Sequence, residues 1–128
     1  MTVTPTGLHH VSINVPDVPA GIAFYSDLLG LEQDHRRPAF GFGGAWLDAG
    51  DQQVHLIEGA TPPNMGQHFA LLYEDLDAVI DALRARGLEV GDPVPSGPDH
   101  RQAFVTDPWG NVIELHQYPA PGSAQHRA

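Results

Sequence analysis

Three histidines and one glutamate occupy positions where their side chains could share one chemical task. They are His10, His55, His68 and Glu114, and the 128-residue chain has no cysteine. Without thiolates, imidazole and carboxylate groups are the strong protein ligands for a transition metal. The four residues therefore predict a site for a divalent metal ion, with Zn, Ni, Mn or Fe as candidates.

The local sequence around these residues predicts β-strands. In residues 8–15, LHHVSINV, the polar residues His10, Ser12 and Asn14 alternate with apolar ones. Strict alternation is typical of a strand with one apolar and one polar face. Neighbouring strand side chains point to opposite faces, so we expect His9 to point away from His10 and to pack near a helix.

An internal repeat explains how residues so distant in sequence could meet. His68 follows His10 by 58 positions, and Glu114 follows His55 by 59. Each copy has a strand, a helix preceded by an aspartate and ended by a glycine, and then a pair of strands. The pattern predicts one α+β domain over residues 1–128, built from two modules at about 8–60 and 66–118.

Composition excludes several classes of partner. The formal charge is −10, and all six basic residues are arginine. We therefore expect no nucleic acid or anionic membrane as partner, and no Schiff-base lysine chemistry. No apolar run approaches the length of a membrane span, and no secretory signal is evident, which favours a cytoplasmic protein. The tail PAPGSAQHRA is expected to be mobile.

Three segments carry a resemblance to a known family: HHVSINVPDV with FYSDLLGLE, HFALLYEDLDAVIDALRARG, and FVTDPWGNVIEL. With them the chain resembles the vicinal oxygen chelate superfamily, which includes glyoxalase I, extradiol dioxygenases, fosfomycin-resistance enzymes and bleomycin-binding proteins. The resemblance implies two βαβββ modules whose mixed sheets form a cup around a divalent metal, with helices on the outer face, and a homodimer. It also implies that His10, His68 and Glu114 are metal ligands.

His55 departs from the glyoxalase I pattern, because that enzyme carries a glutamate ligand there. A histidine that binds metal cannot use the same nitrogen as a base, so Glu114 would be the main proton acceptor, with His116 as a second catalytic group. We expect a metal-dependent lyase or isomerase that binds a small substrate through vicinal oxygens and forms an enediolate-like intermediate. The candidate substrate-binding residues are Ser12, Asn14, Phe42, Trp46 and Arg101.

Two other functions remain open. One is an Fe(II) extradiol-type dioxygenase, in which His100 is the nearest candidate for the acid–base histidine; Phe104 stands where those enzymes usually have tyrosine. The other is a protein that binds a drug or metabolite without turnover, as resistance proteins do. An apolar pocket could be walled by Phe40, Phe42, Trp46 and Trp109, with the FGFGG segment as a lid.

Overall fold

The computed structural model describes residues 2–121, and the last part of the predicted mobile tail, residues 122–128, lies outside the described residues. The chain divides into two compact units, Met1–Pro63 and Asn64–Ala128. Within residues 2–121, no helix combines the length and the apolar character that crossing a bilayer requires.

The first unit is a four-stranded mixed sheet with one helical segment. Its strands lie in the order β1-β4-β3-β2, with β1 and β4 parallel and the other neighbours antiparallel. The elements are β1 (His10–Val15), α1 (Val18–Ile22), β2 (Glu32–Asp34), β3 (Gly44–Ala49) and β4 (Gln52–Glu58).

The helical segment of the first unit is more irregular than its sequence predicts. Helix α1 begins after Asp17, whose carboxylate accepts a hydrogen bond from the Ala20 amide at 3.0 Å. After one turn the chain continues as a π-helix over Ala23–Leu28. The apolar stripe predicts one continuous α-helix here, but two adjacent large side chains, Phe24 and Tyr25, are both buried. In a regular α-helix, neighbouring side chains point about 100° apart around the axis. The wider turn of the π-helix reduces this angle, which fits the burial of both side chains.

The second unit repeats this plan. Its strands lie in the order β5-β8-β7-β6, again with the first pair parallel and the rest antiparallel. The elements are β5 (His68–Leu72), α2 (Leu76–Ala85), β6 (Val94–Pro95), β7 (Arg101–Thr106) and β8 (Val112–Gln117). The predicted α+β class with two βαβββ modules is confirmed. The short strands β2 and β6 have only three and two residues, too few for alternation to be visible in the sequence.

Helix α2 has a capping residue at its N-terminus and a buried hydrogen bond to β8. The Asp75 carboxylate accepts from the Ala78 amide at 3.1 Å, as expected of an N-terminal cap. The side-chain oxygen of Gln117, which is only 2% exposed, accepts from the Leu76 amide at 3.1 Å. Since the first amides of a helix have no partner within it, Gln117 both satisfies one of them and orients the helix on the sheet.

His9 does not lie where strand alternation predicts. Strand β1 begins at His10, so alternation does not extend back to His9. The His9 ring is exposed and meets the His10 ring edge-on, with the two Nδ1 atoms 2.8 Å apart. The expectation that the two rings point apart, with His9 near a helix, is therefore wrong.

Candidate functional site

In the first unit, two of the predicted metal ligands lie in direct ring contact. His10 and His55 stack with ring centroids 3.9 Å apart, and Trp46 also stacks on His55 at 4.8 Å. Strand pairing causes this, because Trp46 on β3 lies directly opposite His55 on β4. Burial lowers the pKa of His55, and the nearby charges of His10, His9 and Arg37 lower it further. The protein therefore favours neutral His55.

A buried carboxylate–amide network determines which nitrogen of His55 carries the proton. The side-chain Nε2 of Gln53 donates to Asp34 and to Asp48, both at 2.9 Å. Arg36 also donates to Asp34, which holds the pKa of that carboxyl well below its usual range. Because carboxylates only accept, Gln53 Oε1 must be the atom that faces His55 Nε2 at 2.8 Å. Neutral His55 is then protonated on Nε2, and its lone pair lies on Nδ1.

An aromatic pocket of about 310 Å³ lies beside this histidine pair, within the first unit. Its wall brings together six residues singled out from the sequence, together with Arg37, and Trp109 is not part of it. The six are His10, Ser12, Phe40, Phe42, Trp46 and His55. Asn14 is not part of this wall; its backbone carbonyl accepts from the Thr61 hydroxyl at 2.8 Å. Arg37 was missed because nothing in the local sequence distinguishes it from Arg36.

In the second unit, Glu114 is shared between two imidazoles. Its Oε1 lies 3.1 Å from His68 Nε2, and its Oε2 lies 2.6 Å from His116 Nδ1. The other nitrogen of His68 donates to the Gly66 carbonyl at 3.0 Å. Both nitrogens of His68 therefore face acceptors, and the Gly66 carbonyl and Glu114 together raise its pKa despite some burial.

The contacts of Glu114 extend into a chain of imidazoles. His116 Nε2 lies 2.7 Å from His100 Nδ1, and the His100 ring stacks on Tyr118 with centroids 4.2 Å apart. Since His116 donates from Nδ1 to the carboxylate, its Nε2 accepts from His100 in the neutral state. A proton thus has a hydrogen-bonded path between Glu114 and His100. No sequence pattern could pair His100 with His116, because His100 lies in an irregular segment before β7.

Arg101 already has a partner of its own. Two of its guanidinium nitrogens donate to the Asp77 carboxylate, at 2.8 and 3.1 Å. Asp77 lies in the first turn of α2. The role of Arg101 in substrate binding stays a prediction.

The chemistry of the predicted ligands fits a divalent ion. Three imidazoles and one carboxylate are suitable donors for Zn, Ni, Mn or Fe. The first unit contributes His10 and His55, and the second contributes His68 and Glu114. Within the described residues 2–121, no group of three or more histidine, aspartate or glutamate side chains is already arranged to hold a metal ion. The shared ligand set stays a prediction.

Comparison with known proteins places these features in a family context. Residues 7–115 match the family model described as the Glyoxalase/Bleomycin resistance protein/Dioxygenase superfamily. An uncharacterised protein of Pseudomonas aeruginosa is 33% identical, over 94% of this chain and 96% of its own length. A biphenyl-2,3-diol 1,2-dioxygenase of Rhodococcus globerulus is 31% identical over 90% of this chain, which spans only 64% of that enzyme.

A solved structure agrees with these matches. The crystal structure of a putative glyoxalase family protein from Bacillus anthracis superimposes with a TM-score of 0.81 and 28% identity. The match covers 92% of this chain and 99% of that protein.

Proposed function

Since the chain belongs to the Glyoxalase/Bleomycin resistance protein/Dioxygenase superfamily, we propose that it is a divalent-metal-dependent lyase or isomerase of the glyoxalase type. Its substrate would be a small molecule with two adjacent oxygens. The observation that carries the proposal is the position of Glu114, a carboxylate between His68 and His116 with a further imidazole, His100, behind it. Such a carboxylate is suited to accept a proton and pass it on.

The proposed metal ligands are His10, His55, His68 and Glu114. A bound divalent ion supplies Lewis acidity toward the substrate oxygens. The hydrogen bonds of the imidazoles support this role, because ligating histidines commonly donate from their other nitrogen to a protein oxygen. The Gly66 carbonyl holds the Nδ1 proton of His68, and Gln53 holds the Nε2 proton of His55. Nδ1 of His55 is thus available as a ligand atom, whereas Nε2 of His68 faces Glu114 Oε1 and would have to exchange that contact for the metal.

The residues of the chain divide the remaining tasks. Glu114 takes the proton from the substrate carbon, and His116, at 2.6 Å, stabilises the carboxylate and exchanges protons with His100. Phe42 and Trp46 hold the apolar part of the substrate, with Ser12 as a hydrogen-bonding group. Asn14 and Arg101 remain further candidates for substrate contacts.

Metal analysis is the direct test. Protein loaded with Zn, Ni, Mn or Fe(II) and then dialysed should retain one ion per chain, and His68→Ala should lose it. With α-hydroxycarbonyl or hemithioacetal substrates in D₂O, turnover should place solvent deuterium on the carbon next to the carbonyl. The proposal would be removed if the wild type did not retain one ion per chain. It would also be removed if His68→Ala retained the ion as well as the wild type does. Oxygen uptake with catechols after anaerobic Fe(II) loading would identify a dioxygenase instead.

Binding without turnover is a second candidate function, favoured by the aromatic pocket of the first unit. That pocket contains three aromatic side chains, Phe40, Phe42 and Trp46. Stacked aromatic walls suit capture of a flat molecule without any chemical step. A ligand that binds tightly and is recovered unchanged after long incubation with metal-loaded protein would support this candidate.

We also propose a homodimer, on the strength of the family resemblance. Sedimentation equilibrium at micromolar concentration should give twice the chain mass of 13.8 kDa. A single species at the chain mass would contradict it.

A further inference from the structure

The surroundings of Arg37 differ from those of the arginines that form ion pairs. Arg36, Arg84 and Arg101 each hold a carboxylate within 3 Å. Arg37 instead donates to the backbone carbonyl of Phe42 at 3.0 Å, and no carboxylate forms an ion pair with it among residues 2–121. In a chain with a formal charge of −10, this leaves a positive group at an apolar pocket without a negative partner.

The rings around Arg37 form a set of flat surfaces. Its guanidinium carbon lies 5.0 Å from the Phe40 ring centroid and 5.3 Å from that of Phe42. These two rings stack on each other at 5.6 Å, and Phe40 lies 6.2 Å from Trp46. Phe40 and Phe42 remain 48% and 52% exposed. Exposed aromatic rings beside a half-buried cation are typical of ligand sites rather than of a packed core.

A close backbone approach holds Arg37 at the pocket. A Cβ on Gly44 would clash with the Leu56 carbonyl oxygen and would come within 2.9 Å of Arg37 Nη2. Only glycine leaves room for the guanidinium at this point. The absence of a side chain at Gly44 therefore leaves the space that the guanidinium occupies, and the hydrogen bond to the Phe42 carbonyl holds it there.

We propose that this pocket binds a flat aromatic anion of one or two fused rings, with the ring against Trp46 and Phe40 and the negative oxygen on Arg37. A cavity of about 310 Å³ suits a ligand of that size. The guanidinium offers paired donors that match a carboxylate or a phenolate oxygen, and the rings supply stacking. This inference rests on the proposed function in one respect. It takes the pocket, whose wall includes His10 and His55, as the place where the substrate binds.

Calorimetry on metal-free protein in EDTA tests the assignment with three probes. They are 1-naphthoate, its neutral analogue 1-naphthalenemethanol, and the non-aromatic anion cyclohexanecarboxylate. We expect 1-naphthoate to bind about tenfold more tightly than either of the others, because the alcohol lacks the charge-assisted hydrogen bond and cyclohexanecarboxylate lacks the aromatic ring. Equal affinity for the naphthoate and the alcohol would overturn the role of the charge. Equal affinity for the two anions would overturn the role of the ring.

Variants of Arg37 and Arg36 distinguish a direct contact with the ligand from the overall electrostatic field of the protein. Arg37→Met should lose about tenfold in 1-naphthoate affinity and leave the alcohol unchanged, and Arg37→Lys should keep part of the preference for the anion. Arg36→Met, which removes the same charge one residue away, should bind 1-naphthoate as the wild type does. Asp34 keeps donors from Gln53 and the Arg36 amide in that variant. An equal loss in both methionine variants would overturn the inference.

The outcomes also distinguish this inference from the proposed function. Because the probes are measured without metal, 1-naphthoate binding in a protein that never retains an ion would remove only the metal-dependent reaction. Stoichiometric metal in a protein that ignores all three probes would remove only the aromatic-anion site.

Discussion

The two units place different groups at equivalent positions of their two sheets. His55 in β4 lies beside the parallel strand β1, and Glu114 in β8 lies beside the parallel strand β5. An aromatic residue faces each of them on the neighbouring strand, Trp46 in the first unit and Phe104 in the second. In the first unit the ring stacks on the imidazole, and the surrounding groups keep it neutral. In the second, the carboxylate lies within hydrogen-bonding distance of both His68 and His116.

The histidines of the two units also expose opposite nitrogens. In the first unit, Gln53 accepts from His55 Nε2, which leaves Nδ1 as the available lone pair. In the second, the Gly66 carbonyl accepts from His68 Nδ1, which leaves Nε2 toward Glu114. One repeated framework therefore presents an aromatic half with a neutral imidazole and a half in which a carboxylate is linked to several imidazoles by hydrogen bonds. The strand positions are equivalent in the two units, and the contacts around them give the two sites different chemistry.

The largest effect is expected from removing the charge at position 114. Glu114→Gln should lower kcat by about 10²–10⁴-fold at saturating metal, because it removes the proton acceptor. His55→Gln should mainly weaken metal binding and leave most of kcat once metal is saturating. Steady-state kinetics with metal titration checks both variants. If His55→Gln lost the larger share of kcat, the assignment of roles to the two units would be reversed.

The backbone contact at the pocket should be sensitive to a single methyl group. Gly44→Ala should reduce the free energy of unfolding by about 3 kcal/mol, because the new Cβ meets the Leu56 carbonyl oxygen. The corresponding position in β7 is Gln102, which already carries a side chain. Gln102→Ala is therefore the matched control and should be nearly neutral. Urea denaturation measures both, and a tolerated Gly44→Ala would show that the pocket edge can move.

Gln53 should control the nitrogen that His55 presents. Gln53→Leu should weaken metal binding about tenfold, as loss of a partner that orients a ligating histidine typically does. In the metal-free protein, ¹⁵N spectra of the His55 ring should change from the Nε2-protonated form to a mixture of tautomers. Gln52→Leu, at the exposed neighbouring position, should change neither. A wild-type spectrum with the proton on Nδ1 would contradict the assignment.

The smallest effect is a pH dependence with opposite sign in the two units. The raised pKa of His68 stabilises the fold below its ordinary value of about 6.5, and this stabilisation is lost as pH rises through the raised value. The lowered pKa of His55 does the reverse, so its unit loses stability as pH falls below about 6.5. Each contribution should stay below about 1 kcal/mol, because these side chains are partly exposed.

Melting temperatures of metal-free protein between pH 5 and 9 measure these slopes. His68→Gln should remove the part of the curve that falls with pH, and His55→Gln should remove the part that rises. Parallel curves for the two variants would mean that the imidazoles share one environment after all.

Much of the fold follows from the sequence. Alternating strands, the aspartates before each helix and the 58-residue spacing predict two repeated modules with a strand, a helix and a pair of strands. The third strand of each βαβββ module was implied only by the family resemblance, and the sheets have that topology. These patterns lie within short segments, so they can be recognised without knowing any distant contact. The π-helical turn at Ala23–Leu28 and the start of β1 at His10 were not predictable, because both depend on how side chains meet the sheet.

The sequence by itself determined which residue types could bind metal and which of them share a strand face. Only the tertiary structure decided that Gln53 orients His55, that His116 joins Glu114 to His100, and that Arg37 rather than Arg101 lies at the aromatic pocket. The reason is physical: a side chain's charge, tautomer and free donors depend on the atoms within about 3 Å of it. Gln53 and His55, like Glu114 and His116, are only two residues apart, but the atoms that fix their hydrogen-bond roles, on Asp34 and His100, come from other segments of the chain.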